Sequence, residues 1–157
     1  MLKRLIAGGA VVVVGAGIWG VSGEDHTKRD TSGSIVRAGQ LGAFATKLGD
    51  CFESVPTGDI STVQGVPCNS AHHWQVVYKG ELTLASFELT SVQNASTSLC
   101  NSAITGIAQS LPQNLASEYQ NASTSSIIPT SASWDKGDRG VDCLVGSDTQ
   151  TFFDSLI

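Results

Sequence analysis

The stretch Leu48–Trp74, LGDCFESVPTGDISTVQGVPCNSAHHW, decides how the chain is read. It holds two of the four cysteines and two of the three histidines, together with a Gly-Asp pair beside Cys51 that returns near the end as Gly137-Asp138. Leu48–Phe52 and Thr62–Val66 are short strand candidates separated by the turn formers Pro56-Thr57-Gly58-Asp59. Cys51 and Cys68 flank these neighbouring strands, which favours a covalent closure of the unit over a reactive centre. A metal site of Cys51, Cys68, His72 and His73 would have the spacing C-x16-C-x3-H-H, which fits no usual zinc pattern. Adjacent histidines on an extended chain also point to opposite faces.

Downstream, Trp74–Tyr78 (WQVVY) is β-branched and aromatic and reads as the clearest strand, running on toward Glu81–Leu84. A helix follows. Thr90-Ser91-Val92-Gln93 fits a capping box, and apolar residues recur at Val92, Leu99, Cys100, Ala103, Ile104, Ile107 and Leu111. Ser96 interrupts that stripe, and Pro112 ends it because proline lacks the N–H and disfavours helix in the residue before it. Leu115–Tyr119 reads as a short helical turn, and Ile127-Ile128 and Gly140–Val145 read as strands around the turn at Trp134–Asp138. Cys100 therefore points from the helix toward a sheet that carries Cys143. The cysteine count alone leaves the connectivity open, but this placement pairs Cys51 with Cys68 and Cys100 with Cys143. In the chain-entropy picture these closures contribute roughly 3 and roughly 4 kcal/mol.

Upstream of the quoted stretch, Lys3 and Arg4 precede 17 uncharged residues, Leu5–Val21. A signal-peptide core spans roughly 7–15 apolar residues, and a membrane span about 20 with about 17 as its lower limit. No Ala-x-Ala cleavage signal is present, and Trp19 lies where interfacial aromatics collect. The reading is an uncleaved membrane helix over residues 1–21, with secretion after cleavage as the alternative and the C-terminal part outside the cytoplasm in both cases. Residues 22–43 mix charge, Gly and Ser without a period and read as a flexible linker. Residues 44–157 form the extracytoplasmic domain. The expected fold is α+β: a small antiparallel sheet on one main helix, stapled by two disulfides, behind an N-terminal hydrophobic helix.

Charged residues make up only 15% of the chain and the net charge is −5. Without Lys3 and Arg4, seven basic residues face fourteen acidic ones. That excludes nucleic acid as a partner, since phosphate neutralisation needs clustered Lys and Arg. No serine lies in G-x-S-x-G or S-x-x-K, so a hydrolase built on His72 or His73 with Asp50 or Asp138 has no marked nucleophile. There is no C-x-x-C and no phosphate-cradling glycine loop in the folded part, so no catalytic residue, cofactor or metal is expected. Asp50 and Asp138 read as carboxylates that accept backbone N–H bonds in tight turns. His72 reads as an imidazole bracing the connection into the Trp74 strand, and Trp134 as a core or lid aromatic.

The order Leu48-Gly49-Asp50-Cys51-Phe52, Val66-Pro67-Cys68-x-x-x-His72, a helix bearing Cys100, then Trp134-x-x-Gly137-Asp138-Arg139-x-x-x-Cys143-Leu144 resembles the actinobacterial septum formation family. The resemblance spans roughly residues 44–157 and uses all four cysteines. It implies a membrane-anchored or secreted cell-envelope protein linked to division septa. It brings no catalytic residues, and it departs from the family pattern at His73, where an acidic residue is usual. The function expected is a non-enzymatic, membrane-anchored envelope domain that binds another envelope or membrane protein, as an accessory subunit of a membrane complex. A cell-wall or small-ligand module using Trp74, Trp134 or His72 is the alternative, and an envelope hydrolase comes third.

Overall fold

The β-branched run opening at Trp74 forms the longest strand among the described residues. In a computed structural model that describes residues 10–13, 24–56, 58 and 60–157, the chain runs β1 (Ala10–Val13), β2 (Lys28–Arg29), β3 (Ile35–Arg37), β4 (Gly39–Gly42), β5 (Cys51–Phe52), β6 (Thr62–Val66) and β7 (Trp74–Glu81). Then come α1 (Leu89–Ser110), α2 (Gln113–Glu118), β8 (Ser123–Ile128), α3 (Ser131–Trp134) and β9 (Gly140–Gly146). Seven strands form one sheet in the order β1-β8-β9-β7-β5-β6-β4, and β2 and β3 form a separate hairpin.

The sheet is mixed rather than wholly antiparallel, because β1 runs parallel to β8 from Ala10↔Ser125 to Val13↔Ile128. Every other pairing in it is antiparallel. At the centre, β7 meets β9 from Trp74↔Gly146 to Glu81↔Gly140, with one extra residue between Val76 and Tyr78. Such an insertion bends the strand and changes which face its side chains meet. Val77 joins the core on the helix side, while Trp74 and Val76 join the core on the other side.

Helix α1 covers the first of these faces. Its buried residues Val92, Ser96, Cys100 and Ile104 are four apart and form a single stripe against β7, β8 and β9. The cap is Glu88, not Thr90: its carboxylate accepts from the Thr90 and Ser91 N–H groups at 3.1 and 2.6 Å. A carboxylate carries two oxygens and satisfies two of the orphan donors at once, which a Thr hydroxyl two residues later does not do here. A capping box does occur, at the start of α3, where Thr130 and Ser133 bond reciprocally.

One expectation is corrected, and a second lies mostly outside the described residues. The stretch expected as a flexible linker, residues 22–43, instead carries β2, β3 and β4 over its described part, and Ile35 and Leu41 are buried in the second core. Its strands are too short to read from sequence because tertiary contacts, not local periodicity, hold them. Of the expected N-terminal helix, residues 1–9 and 14–21 lie outside the described residues, and Ala10–Val13 form a strand. Three successive β-branched valines suit that geometry. Among the described residues no helix is long and apolar enough to cross a membrane.

Two disulfides close the fold, Cys51–Cys68 and Cys100–Cys143. The first joins β5 to the turn after β6, and the second fastens α1 to β9. Their presence suits an extracytoplasmic, oxidising compartment.

Candidate protein-binding groove

The residues singled out from sequence are not brought to one place. His72 is fully buried, with Nδ1 2.9 Å from the Ser70 carbonyl and Nε2 3.0 Å from the Tyr119 hydroxyl. Tyr119 stacks on Phe152 at 4.2 Å and donates to the Asp154 carbonyl, so the cluster fastens the tail to α2. Burial pushes the His72 imidazole below its ordinary range and the Tyr119 phenol above its own. Trp74 is buried and its indole N–H donates to Asp148. Trp134 is buried under Arg139, whose guanidinium lies 3.6 Å above the ring and also donates to the Trp134 carbonyl. Asp138 accepts from the Gly140 N–H at 2.9 Å. Neither tryptophan offers an open stacking face, and no serine–histidine–carboxylate relay converges on His72.

Asp50 has a larger role than a turn carboxylate. It accepts the Lys47 N–H at 2.8 Å and receives both terminal nitrogens of Arg29 at 2.6 and 2.8 Å. Arg29 also donates to Asp25 at 2.6 Å and to the Gly33 carbonyl at 2.8 Å. The Asp50 carboxylate holds the guanidinium in its charged form far above the ordinary range. This pair fixes the β2–β3 hairpin against the Lys47–Asp50 turn, where Gly49 takes the φ of +89° that favours glycine.

Between hairpin, turn and tail lies a groove of about 660 Å³, floored by Cys51–Cys68. Three apolar side chains on its lining stay open to solvent: Val36 at 50%, Leu48 at 58% and Ile157 at 49%. The buried Gln75 places the last of these. Its amide nitrogen donates to Ser155 Oγ at 2.7 Å and to the Gly49 carbonyl at 3.2 Å, while its oxygen accepts the Leu156 N–H at 2.7 Å. One side chain of β7 thus sets the tail beside the turn. On its polar wall Asp30 accepts from the backbone N–H groups of Ser32 and Ser34 and from the Ser32 hydroxyl. Among the described residues no histidine lines the groove, and its two cysteines are bonded to each other. Its lining combines an exposed apolar rim, a disulfide floor and polar flanks.

A smaller cavity of about 340 Å³ lies under Phe44, at the end of β7 and β9. Of its charged residues Lys79, Glu81, Asp138 and Asp142, Lys79 and Asp142 pair at 2.6 Å, and Thr46 bonds to both. Burial raises the Asp142 carboxyl above its ordinary range, against the pull of the Lys79 ammonium. Among the described residues no cluster of three or more His, Cys, Asp or Glu is arranged to hold a metal ion.

Arg29 was not marked as functional in the sequence, since an arginine in a mixed-charge stretch gives no sign of a partner 21 residues away. Val36 and Ile157 were missed because nothing local joins residues so far apart.

A family model described as Septum formation matches residues 18–143. That span takes in the hairpin and β4 as well as all four cysteines, and it stops short of the tail. No curated protein and no solved structure matches the chain.

Proposed function

This chain belongs to the septum formation family, and from that membership we propose that it is a non-enzymatic, division-related domain of the cell envelope. It is held at the membrane by its N-terminal apolar segment and binds another envelope or membrane protein as an accessory subunit. The observation that carries the binding reading is the groove beside Cys51–Cys68, whose lining leaves Val36, Leu48 and Ile157 about half exposed. Exposed apolar groups gathered in one concavity, rimmed by polar residues, are the usual mark of an interaction site. The rigid floor lowers the entropy lost on docking. The partner suited to it presents a small apolar anchor.

The test is affinity purification of the full chain from solubilised membranes, beside Leu48→Asp. The expected result is a stoichiometric partner that the variant loses. If the chain emerges alone, or if Leu48→Asp retains the same partner equally, the reading fails.

The cavity under Phe44 supports the alternative of a small-ligand module, since its volume falls at the lower end of the roughly 300–1,000 Å³ typical of ligand sites. Among the described residues its one cation, Lys79, is already paired with Asp142, which makes the cavity the weaker of the two.

A further inference from the structure

The chain treats the two edges of its seven-stranded sheet differently. Beyond β4, residues Glu24–His26 lie alongside, with the His26 N–H bonded to the Gln40 carbonyl at 2.9 Å and the Gly42 N–H to the Glu24 carbonyl at 2.7 Å. They lie so close that a Cβ on Gly39 would stand 2.3 Å from the His26 oxygen. That edge is closed by its own chain.

At the other side, the strand beneath the edge strand β1 has none of the usual defences. β8 reads Ser-Thr-Ser-Ser-Ile-Ile, with no lysine, no proline and no bulge against β9 or β1. What covers it is Ala10–Val13, four residues from the middle of the 17-residue uncharged run Leu5–Val21. A bilayer core requires about 17–25 residues of helix, so this run has none to spare. Ala10–Val13 cannot lie on β8 while the run crosses a membrane.

We propose that β8 is a strand-acceptor edge. When Leu5–Val21 occupies the bilayer, the edge takes a short, uncharged, β-branched strand of a partner envelope protein, running parallel to β8. The inference rests on the membrane-anchored reading above. The occupant's chemistry follows from what already fits: Val12 pairs with Ile127 and Val13 with Ile128. Ile127 belongs to the core on one face of the sheet and Ile128 to the core on the other. An incoming strand with β-branched residues at those two positions extends both cores at once, and backbone bonds to the outer side of β8 supply its affinity.

The test uses the full chain in vesicles of phosphatidylglycerol and phosphatidylethanolamine, with the peptide GGAVVVVGAG as probe. Flotation reads membrane insertion, and hydrogen exchange reads those amides of residues 123–128 that face away from β9. The expected result is a chain that floats, exchanges freely at those amides of 123–128 that face away from β9, and is protected there about tenfold or more by the peptide. The same peptide N-methylated at alternate valines, with its apolar side chains kept, should give no protection. Equal effects of the two peptides, or no effect of either, overturn the proposal. So does protection of the amides facing away from β9 in the floating chain before peptide is added, which would mean that the chain or a second copy fills the edge. If the chain does not float, the anchored reading fails by itself. The edge is then read on Val12→Pro, where exchange at 123–128 should rise and the peptide should restore protection; failure to restore it overturns the acceptor edge.

Discussion

Arg29 and Asp50 stand 21 residues apart in sequence and meet as a bidentate pair at 2.6 and 2.8 Å, with Asp50 only 3% exposed. Removing one member of a buried pair strands the other charge, which costs about 3–5 kcal/mol. Arg29→Ala should lower stability to urea by that amount and free the hairpin that walls the groove. Arg29→Lys should recover only part of the loss, because an ammonium cannot reproduce the fork. Equilibrium denaturation of the two variants checks this, and full recovery by lysine would count against a geometric role.

The two disulfides should differ in weight. Cys100–Cys143 spans 43 residues and Cys51–Cys68 spans 17, for which loop closure gives about 4 and about 3 kcal/mol. Paired Cys→Ala variants, melted side by side, should lose more at the helix staple than at the groove floor. The reverse order would show that the rigid floor matters beyond its loop length.

Ser96 is fully buried on the sheet-facing stripe of α1, and its hydroxyl has no hydrogen-bond partner. A buried unsatisfied hydroxyl costs about 1–3 kcal/mol. Ser96→Ala should therefore raise the midpoint of thermal unfolding, with a gain of about 1 kcal/mol once the small lost volume is counted. Ser96→Val should lose that gain through overpacking. A calorimetric scan separates the two.

His72 gives the protein a pH dependence with a definite sign. Burial, its largest influence, lowers the imidazole pKa below the ordinary 6.5, outweighing the Ser70 carbonyl and the Glu118 and Asp154 charges that raise it. Below pH 6.5 the unfolded chain then binds a proton that the native one does not. Stability is fully present above that pH and falls as acid carries the group toward its native pKa. Asp142 acts oppositely: its pKa is raised by burial, so its contribution is present below the ordinary carboxylate range and is lost as pH rises through the native value. The His72 window lies nearer neutrality. Urea titrations at about pH 7 and about pH 5.5 should show a drop that His72→Gln reduces.

Sequence made some of this legible and concealed the rest for physical reasons. WQVVY announced β7 because β-branched and aromatic residues suit a pleated surface. The apolar recurrence from Val92 to Ile107 announced α1, but Thr90-x-x-Gln93 imitated a capping box and hid the Glu88 carboxylate. β2, β3 and β4 are two to four residues long and carry charges and glycines, so no period could reveal them. They hold because Arg29 finds Asp50 and because Ile35 and Leu41 find the core. The groove was hidden for the same reason, since it joins residues 36, 48 and 157, and only the Gln75 amide brings the last of them into place.

The position of β9 bears on how the chain is made. It is the last strand among the described residues, yet it lies inside the sheet between β7 and β8. As the chain emerges from its N-terminus, β4, β5, β6 and β7 can pair early and Cys51 can find Cys68. The flank of β7 and the inner flank of β8 have no mate until residues 140–146 arrive. Only then can Cys143 reach Cys100. The second disulfide is thus a seal on a finished sheet rather than a guide to building it. A chain stopped before Gly140 loses, besides its tail, the strand that joins its two halves.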